Sequence, residues 1–154
     1  IDTLTVNPVA LASVTVSALR ATEDTPMAFT NISKEELTKQ NFGKDLPVLL
    51  RFLPSVVTTS DAGAGVGYTG IRVRGSDATR VNVTLNGIAL NDAESHGTFW
   101  VNLSDFASSV EDLQVQRGVG TSTNGAAAFG ASVNVSTDNA SEHAYAQFAS
   151  SVGS

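Results

Sequence analysis

Three arginines carry the most specific chemistry in the chain. Arg72 and Arg74 alternate with apolar residues in Ile71-Arg72-Val73-Arg74-Gly75, and Arg117 closes an alternating run directly before Gly118. A guanidinium offers five donors in a rigid fork and pairs bidentately with carboxylates in a partly dry interface. Residues i and i+2 of a strand share a face, so Arg72 and Arg74 are expected side by side. One reading is a solvated sheet face with casual ion pairs. The preferred reading is that the three arginines meet carboxylates on another surface.

Other constellations are weaker. Asp92, Glu94 and His96 alternate and offer two carboxylates and an imidazole. Hard cations take oxygen and zinc takes His, but the spacing matches no known site. A polar exposed loop is the expectation, with no metal. Gly65-Val66-Gly67-Tyr68-Thr69-Gly70 has the letters of a dinucleotide fingerprint. That fingerprint needs a strand before it and a helix after it. An alternating, strand-like run follows instead, so a flexible or ligand-facing loop is expected and no cofactor. His96 and His143 are the two candidates for a His base, and neither has a nucleophile context. No catalytic residue and no enzyme activity are therefore expected. The Asn-x-Ser/Thr triplets at Asn31, Asn82, Asn102 and Asn139 are the chance product of a chain rich in those residues.

Bulk properties bound the classes. The 154 residues suit one domain. Only 16% are charged, below the usual quarter, which suggests a surface partly covered by something else. A net charge of −6 leaves nothing to neutralise a run of phosphates, so nucleic acid is not an expected partner. With no cysteine, disulfides and thiolate sites are excluded. No apolar run approaches the length of a membrane-spanning helix. The first residue is Ile1, which fits removal of a signal peptide or a start within a longer protein.

These residues need elements to position them. Residues 1–32 lack helical period and read as an extended arm. Ser33-Lys34-Glu35-Glu36 is a capping box and predicts a short helix to about Gln40. A second helix is expected from Asp45, with Pro47 in its first turn, Leu46, Leu49, Leu50 and Leu53 as its apolar face, and Pro54 as its end. Residues 55–59, 71–75, 81–85, 110–117 and 131–137 read as strands. Asn86-Gly87 predicts a tight hairpin with residues 88–90 as the return. Residues 91–102 form a polar loop carrying His96, Phe99 and Trp100, followed by a helical turn with Ser104 as N-cap. Residues 144–152 alternate weakly over a longer stretch, as a barrel strand does. The expected domains are an arm at 1–32, a folded unit at 33–137, and a linker with the start of a barrel strand at 138–154.

Four motifs in order resemble the plug domain of TonB-dependent outer-membrane transporters, and the match covers roughly residues 12–137. They are Leu50-Arg51-Phe52-Leu53-Pro54-Ser55-Val56, then Ile71-Arg72-Val73-Arg74-Gly75, then the run from Val81 to Leu90 around Asn86-Gly87. The last is Val110-Glu111-Asp112-Leu113-Gln114-Val115-Gln116-Arg117-Gly118 with Phe129-Gly130 and Val133-Asn134-Val135. Asn86, Ala89, Val119 and Phe129 stand where the family usually has Asp, Pro, Pro and Tyr.

The resemblance implies an α+β fold, with a small mixed four-stranded sheet, short helices and long loops. Such a plug sits in a β-barrel of about 22 strands. It further implies that Arg74, Arg117 and Arg72 contact barrel carboxylates. Loops bearing Tyr68, His96, Phe99 and Trp100 would face a small-molecule or oligosaccharide substrate, the aromatic rings serving to stack. The arm would pair as an added strand with the C-terminal domain of TonB. Its TonB box is either Val14-Thr15-Val16-Ser17-Ala18, preferred by position, or Asp2-Thr3-Leu4-Thr5-Val6. The implied location is the cell outer membrane, with the plug inside its own barrel, the arm in the periplasm, and membrane contact only through the barrel. The alternative is a stand-alone periplasmic binding or signalling module of plug-like fold.

Overall fold

Alternation of small β-branched residues with amides builds one mixed sheet around which the rest of the chain is arranged. In the computed structural model, residues 19–120, 122–141, 143–146, 148 and 150 are described. The strands are β1 (Ala28–Ser33), β2 (Val56–Ser60), β3 (Thr69–Val73), β4 (Val81–Leu85), β5 (Ile88–Ala89), β6 (Val110–Arg117) and β7 (Ala131–Thr137). Two short helices, α1 (Lys34–Gln40) and α2 (Leu46–Leu49), lie between β1 and β2.

The main sheet has the order β1-β6-β7-β4-β5, and β2 with β3 forms a separate hairpin. The β4–β7 pair is parallel and the other pairs are antiparallel. The α+β class holds, while the main sheet has five strands rather than four. The added strand is β1, which lies, but for Ser33, within the stretch read as arm. Its residues pair with β6 from Ala28↔Arg117 to Ser33↔Asp112.

Strand register sorts the side chains. Val83, Val133 and Val115 align across β4, β7 and β6, with Leu85, Val135 and Leu113 in the next apolar row. Against this face pack Leu37 of α1, Leu46 and Leu49 of α2, Leu50, Val56, Ile71, Val73 and Trp100. The opposite face carries Asn82, Ser132 and Gln116, then Thr84, Asn134 and Gln114.

Local signals explain most element ends. The Ser33 hydroxyl accepts from the Glu36 amide at 3.4 Å, and Glu36 Oε2 accepts from the Ser33 amide at 2.9 Å, so the capping box is complete. In α2, Pro47 occupies the first turn and a 3-10 turn, Leu50–Phe52, extends the helix. At the β4–β5 hairpin, Asn86 (φ 50°) and Gly87 (φ 85°) take the left-handed conformations that such a turn requires. Asn86 also donates to Thr137 Oγ1 at 2.8 Å and accepts from the Thr137 amide at 3.0 Å, a bridge to β7 in which aspartate would lack the donor.

The expected turn capped by Ser104 is different. Two 3-10 turns, Trp100–Leu103 and Phe106–Ser109, flank Asp105 in the left-handed region at φ 52°. The Ser104 hydroxyl donates backwards to the Val101 carbonyl at 3.3 Å and caps nothing ahead of it. Burial of Trp100 sets the phase of the first turn. Of residues 144–152, the described ones lie outside any strand.

Candidate functional site

Arg74 reaches the Arg117-Gly118 corner, although the three arginines do not share one strand face. Arg72 lies on β3 and is exposed. Arg74 lies beyond the end of β3 with φ 52°, followed by Gly75 at φ 78°. The left-handed pair turns the chain, so the alternation of Arg72 and Arg74 does not make them neighbours on a strand. The Arg74 amide donates to the Ser55 carbonyl at 2.9 Å, and Ser76 closes the turn on Val73 at 3.0 Å.

That turn meets the end of β6 and the start of β7. The Gly118 amide donates to the Gly130 carbonyl at 2.8 Å, and the Gly130 amide to the Arg80 carbonyl at 2.8 Å. A Cβ on Gly118 would lie 3.1 Å from Arg74 Nη1, so the Arg74 guanidinium lies over the Arg117-Gly118 corner. A Cβ on Gly130 would lie 2.4 Å from Ser76 Cβ and 3.0 Å from the Arg80 carbonyl oxygen. Arg117 is half-buried and donates to Thr30 Oγ1 at 2.7 Å and to the Phe29 carbonyl at 3.4 Å. Arg80 lies 3.9 Å from Asp77 and 5.9 Å from the Phe129 ring centre. Among the described residues, no carboxylate forms an ion pair with Arg72, Arg74 or Arg117.

Two loops carry the other predicted residues. The β2–β3 loop exposes 66% of Tyr68 and is closed by Asp61 N–H to the Tyr68 carbonyl at 3.1 Å. Buried Asp45 ties this loop to α2. Its amide donates to the Gly65 carbonyl at 2.9 Å, and its Oδ2 accepts from Thr69 Oγ1 at 2.9 Å. Its Oδ1 is buried without a partner. In the sequence Asp45 reads only as a helix start, because its link to Gly65 and Thr69 is tertiary. The glycine-rich letters lead into β3 rather than a helix, which is not the strand–loop–helix order of a dinucleotide fingerprint.

The 91–99 loop is held by two side chains. Asn91 acts as a strand surrogate on β4, accepting from the Val83 amide at 2.8 Å and donating to the Val81 carbonyl at 3.0 Å. Asp92 Oδ1 accepts from the amides of Glu94 and Ser95 and from the Ser95 hydroxyl. The Ser95 amide and hydroxyl, with lesser help from Glu94 and His96, hold the Asp92 carboxyl below its usual range. His96 is exposed with φ 58°, and no group of three His, Cys, Asp or Glu side chains among the described residues could hold a metal. Phe99 is 49% exposed beside a shallow cleft of about 260 Å³ that also contacts Asp92, Thr98 and Asn102.

Trp100 requires a correction. It is 3% exposed and belongs to the hydrophobic core, so its ring has no face to present to a substrate. The turn that exposes Phe99 carries the next side chain inward. Both candidate TonB boxes, 2–6 and 14–18, lie outside the described residues.

Comparisons with known proteins agree with this architecture. Residues 21–132 match the TonB-dependent receptor plug domain family, and the chain belongs to that family. The siderophore receptor PirA from Acinetobacter baumannii is 22% identical with a TM-score of 0.55, over 73% of this chain and 17% of that one. A point variant of the ferric enterobactin receptor PfeA from Pseudomonas aeruginosa is 23% identical with a TM-score of 0.59, over 77% and 18%. FpvA of P. aeruginosa, solved with a bound pyoverdine–iron complex, is 20% identical with a TM-score of 0.56, over 75% and 14%. At these identities the likeness is one of fold. The chain spans less than a fifth of the length of these relatives. No curated protein matches the sequence.

Proposed function

We propose that this chain gates an outer-membrane β-barrel from inside, with its 61–68 and 91–99 loops toward the substrate and its N-terminal arm toward TonB. The carrying observation is the arginine corner. Arg74 and Arg117 are brought together by tight glycine turns and have no carboxylate partner among the described residues. The chain as a whole has a net charge of −6, and Asp77, the carboxylate of the adjoining turn, pairs with Arg80 rather than with Arg74 or Arg117. In this reading the missing countercharges belong to the barrel wall. Exposed Phe42, Phe52, Val57, Ile88 and Phe129 support a surface that another wall covers.

Tyr68 and Phe99 are the stacking groups for an aromatic or sugar face, and His96 is an exposed polar group of the second loop. No step is covalent. Substrate contacts at the loops bias the arm toward release, which requires contacts that differ between two states. TonB then adds to the arm as a strand, at 14–18 or at 2–6. The relatives named as siderophore receptors make a small iron chelate the first substrate class to try.

The test is charge reversal in the full-length receptor. Arg74→Glu and Arg117→Glu are each expected to weaken plug seating by about 2–5 kcal/mol, the range for unpairing a desolvated charge. Protease sensitivity of the plug in isolated outer membranes reads that loss. Wild-type protection in both variants would rule out the barrel-contact role.

A further inference from the structure

Asp45 stands where a helix cap belongs and does not cap. It holds the N-cap position of α2 in an extended conformation, yet its side chain accepts from no amide of the helix. The local sequence explains this. An N-cap aspartate normally accepts from the second or third helical amide. Here the second helical residue is Pro47, which has no N–H, and the amide of the third, Val48, donates to the Asp45 carbonyl at 3.0 Å. The carboxylate is left without a capping task and turns toward the β2–β3 loop.

There it closes a clamp. The Asp45 amide holds the Gly65 carbonyl and its Oδ2 holds the Thr69 hydroxyl, both at 2.9 Å. Among the described residues, these are the hydrogen bonds that join the loop to the start of α2. They bracket Val66, Gly67 and Tyr68. Within the bracket the Thr69 amide donates to the Gly67 carbonyl at 3.0 Å, and the Tyr68 carbonyl accepts from Asp61 at 3.1 Å, so the backbone on either side of Tyr68 is held. The side chains of Val66 and Tyr68 stay 42% and 66% exposed. The loop also lies close on the helix, since a Cβ on Gly65 would meet Lys44 Cδ at 3.2 Å and Val48 Cγ2 at 3.3 Å.

The base of the clamp is set in the core. Asp45, Leu46 and Leu50 are fully buried. Asp45 keeps Oδ1 in the interior without a partner, which costs stability. Local rules are broken in this way where function asks for it.

We propose that Asp45 is the positioning residue of the substrate-facing loop: by fixing Gly65 and Thr69 it sets how Tyr68 is presented, from a place that no substrate reaches. The proposal rests on the reading of the 61–68 loop as substrate-facing. A group held in its binding geometry beforehand loses less freedom when a ligand arrives. Breaking the clamp therefore loosens Tyr68 while the main sheet stays folded.

Hydrogen–deuterium exchange of the full-length receptor in isolated outer membranes tests the clamp and needs no substrate. Thr69→Val removes the hydroxyl and keeps the shape. It is expected to speed exchange across residues 61–69 and at the Asp45 amide by about tenfold or more, with the β4 amides unchanged. Thr69→Ser restores the donor and should exchange at the parent rate, a rescue that a packing role for position 69 would not produce. Asp45→Ala should accelerate the same amides, and adding Thr69→Val to it should accelerate them no further. If Asp45→Ala fails to fold, the two Thr69 variants carry the test. Parent rates in Thr69→Val, equal acceleration in β4, or no rescue by serine overturns the clamp. Val66→Cys is a reporter beside Tyr68 in a chain with no cysteine of its own. An anionic, membrane-impermeant maleimide applied to intact cells should label it, and about threefold or more faster once Thr69→Val is added. Labelling without that acceleration overturns the control of presentation. No labelling from outside, with exchange as expected, overturns the substrate-facing reading and leaves the clamp standing.

Discussion

At Gly130 a methyl group has nowhere to go. The Cβ would meet Ser76 Cβ at 2.4 Å and the Arg80 carbonyl at 3.0 Å, so two turns must shift to admit it. Gly130→Ala is expected to cost about 1–3 kcal/mol through overpacking. Gly97→Ala, whose added Cβ would meet only Ser95 Oγ at 3.9 Å, should stay within about 0.5 kcal/mol. Chemical denaturation of the two variants separates them, and equal midpoints would contradict the convergence at Gly130. The aromatic residues divide in a similar way. Trp100→Ala removes a core ring and should cost about 3–5 kcal/mol. Tyr68→Ala and Phe99→Ala should leave the melting temperature nearly unchanged and weaken substrate binding instead. A Trp100 variant that melts like the parent would contradict its place in the core.

At the scale of elements, helix α1 depends on reciprocal caps. The Ser33 amide and hydroxyl hold the Glu36 carboxyl below its ordinary value of 4.5. A depressed carboxylate contributes stability that is present above its unfolded pKa and lost as pH falls through the folded one. Asp77, lowered chiefly by the Thr79 hydroxyl, and Asp92 act in the same direction. Stability should therefore be flat near neutrality and decline on acidification below about pH 4.5. Ser33→Ala should cost about 0.5–2 kcal/mol at neutral pH and flatten part of the acid decline. Helical signal followed against pH checks both, and an unchanged acid slope would contradict the role of the cap. Lys34 runs the other way. Its hydrogen bond to Asp138 raises its pKa, so that tie between α1 and the end of β7 is lost only as pH rises above 10.5.

For the molecule as a whole, local chemistry was legible and distant contact was not. The capping box at Ser33, the Asn86-Gly87 turn and the alternating runs 81–85, 110–117 and 131–137 are short-range signals, and each appears where its residues stand. Their order also carried the family, since four spaced motifs constrain the chain far more than any one of them. β1 was not legible, because residues 28–33 are extended in either case and only β6 decides that they pair. Arg74 reads as a strand residue until the left-handed turn at Arg74-Gly75 is seen, and Trp100 reads as a loop aromatic until the core accepts it. The amides of β4, β6 and β7 look like the solvent side of alternating strands. Their burial under residues 19–21 follows from a contact nearly a hundred residues away in sequence. By itself, then, the sequence determined the two short helices, the Asn86-Gly87 turn and the alternating strands of the sheet interior, because caps, periodicity and φ > 0 residues act within a few positions. Only the tertiary structure decided which polar face is covered, which aromatic is core and which arginines share a corner, because those outcomes depend on what the folded chain brings against each residue.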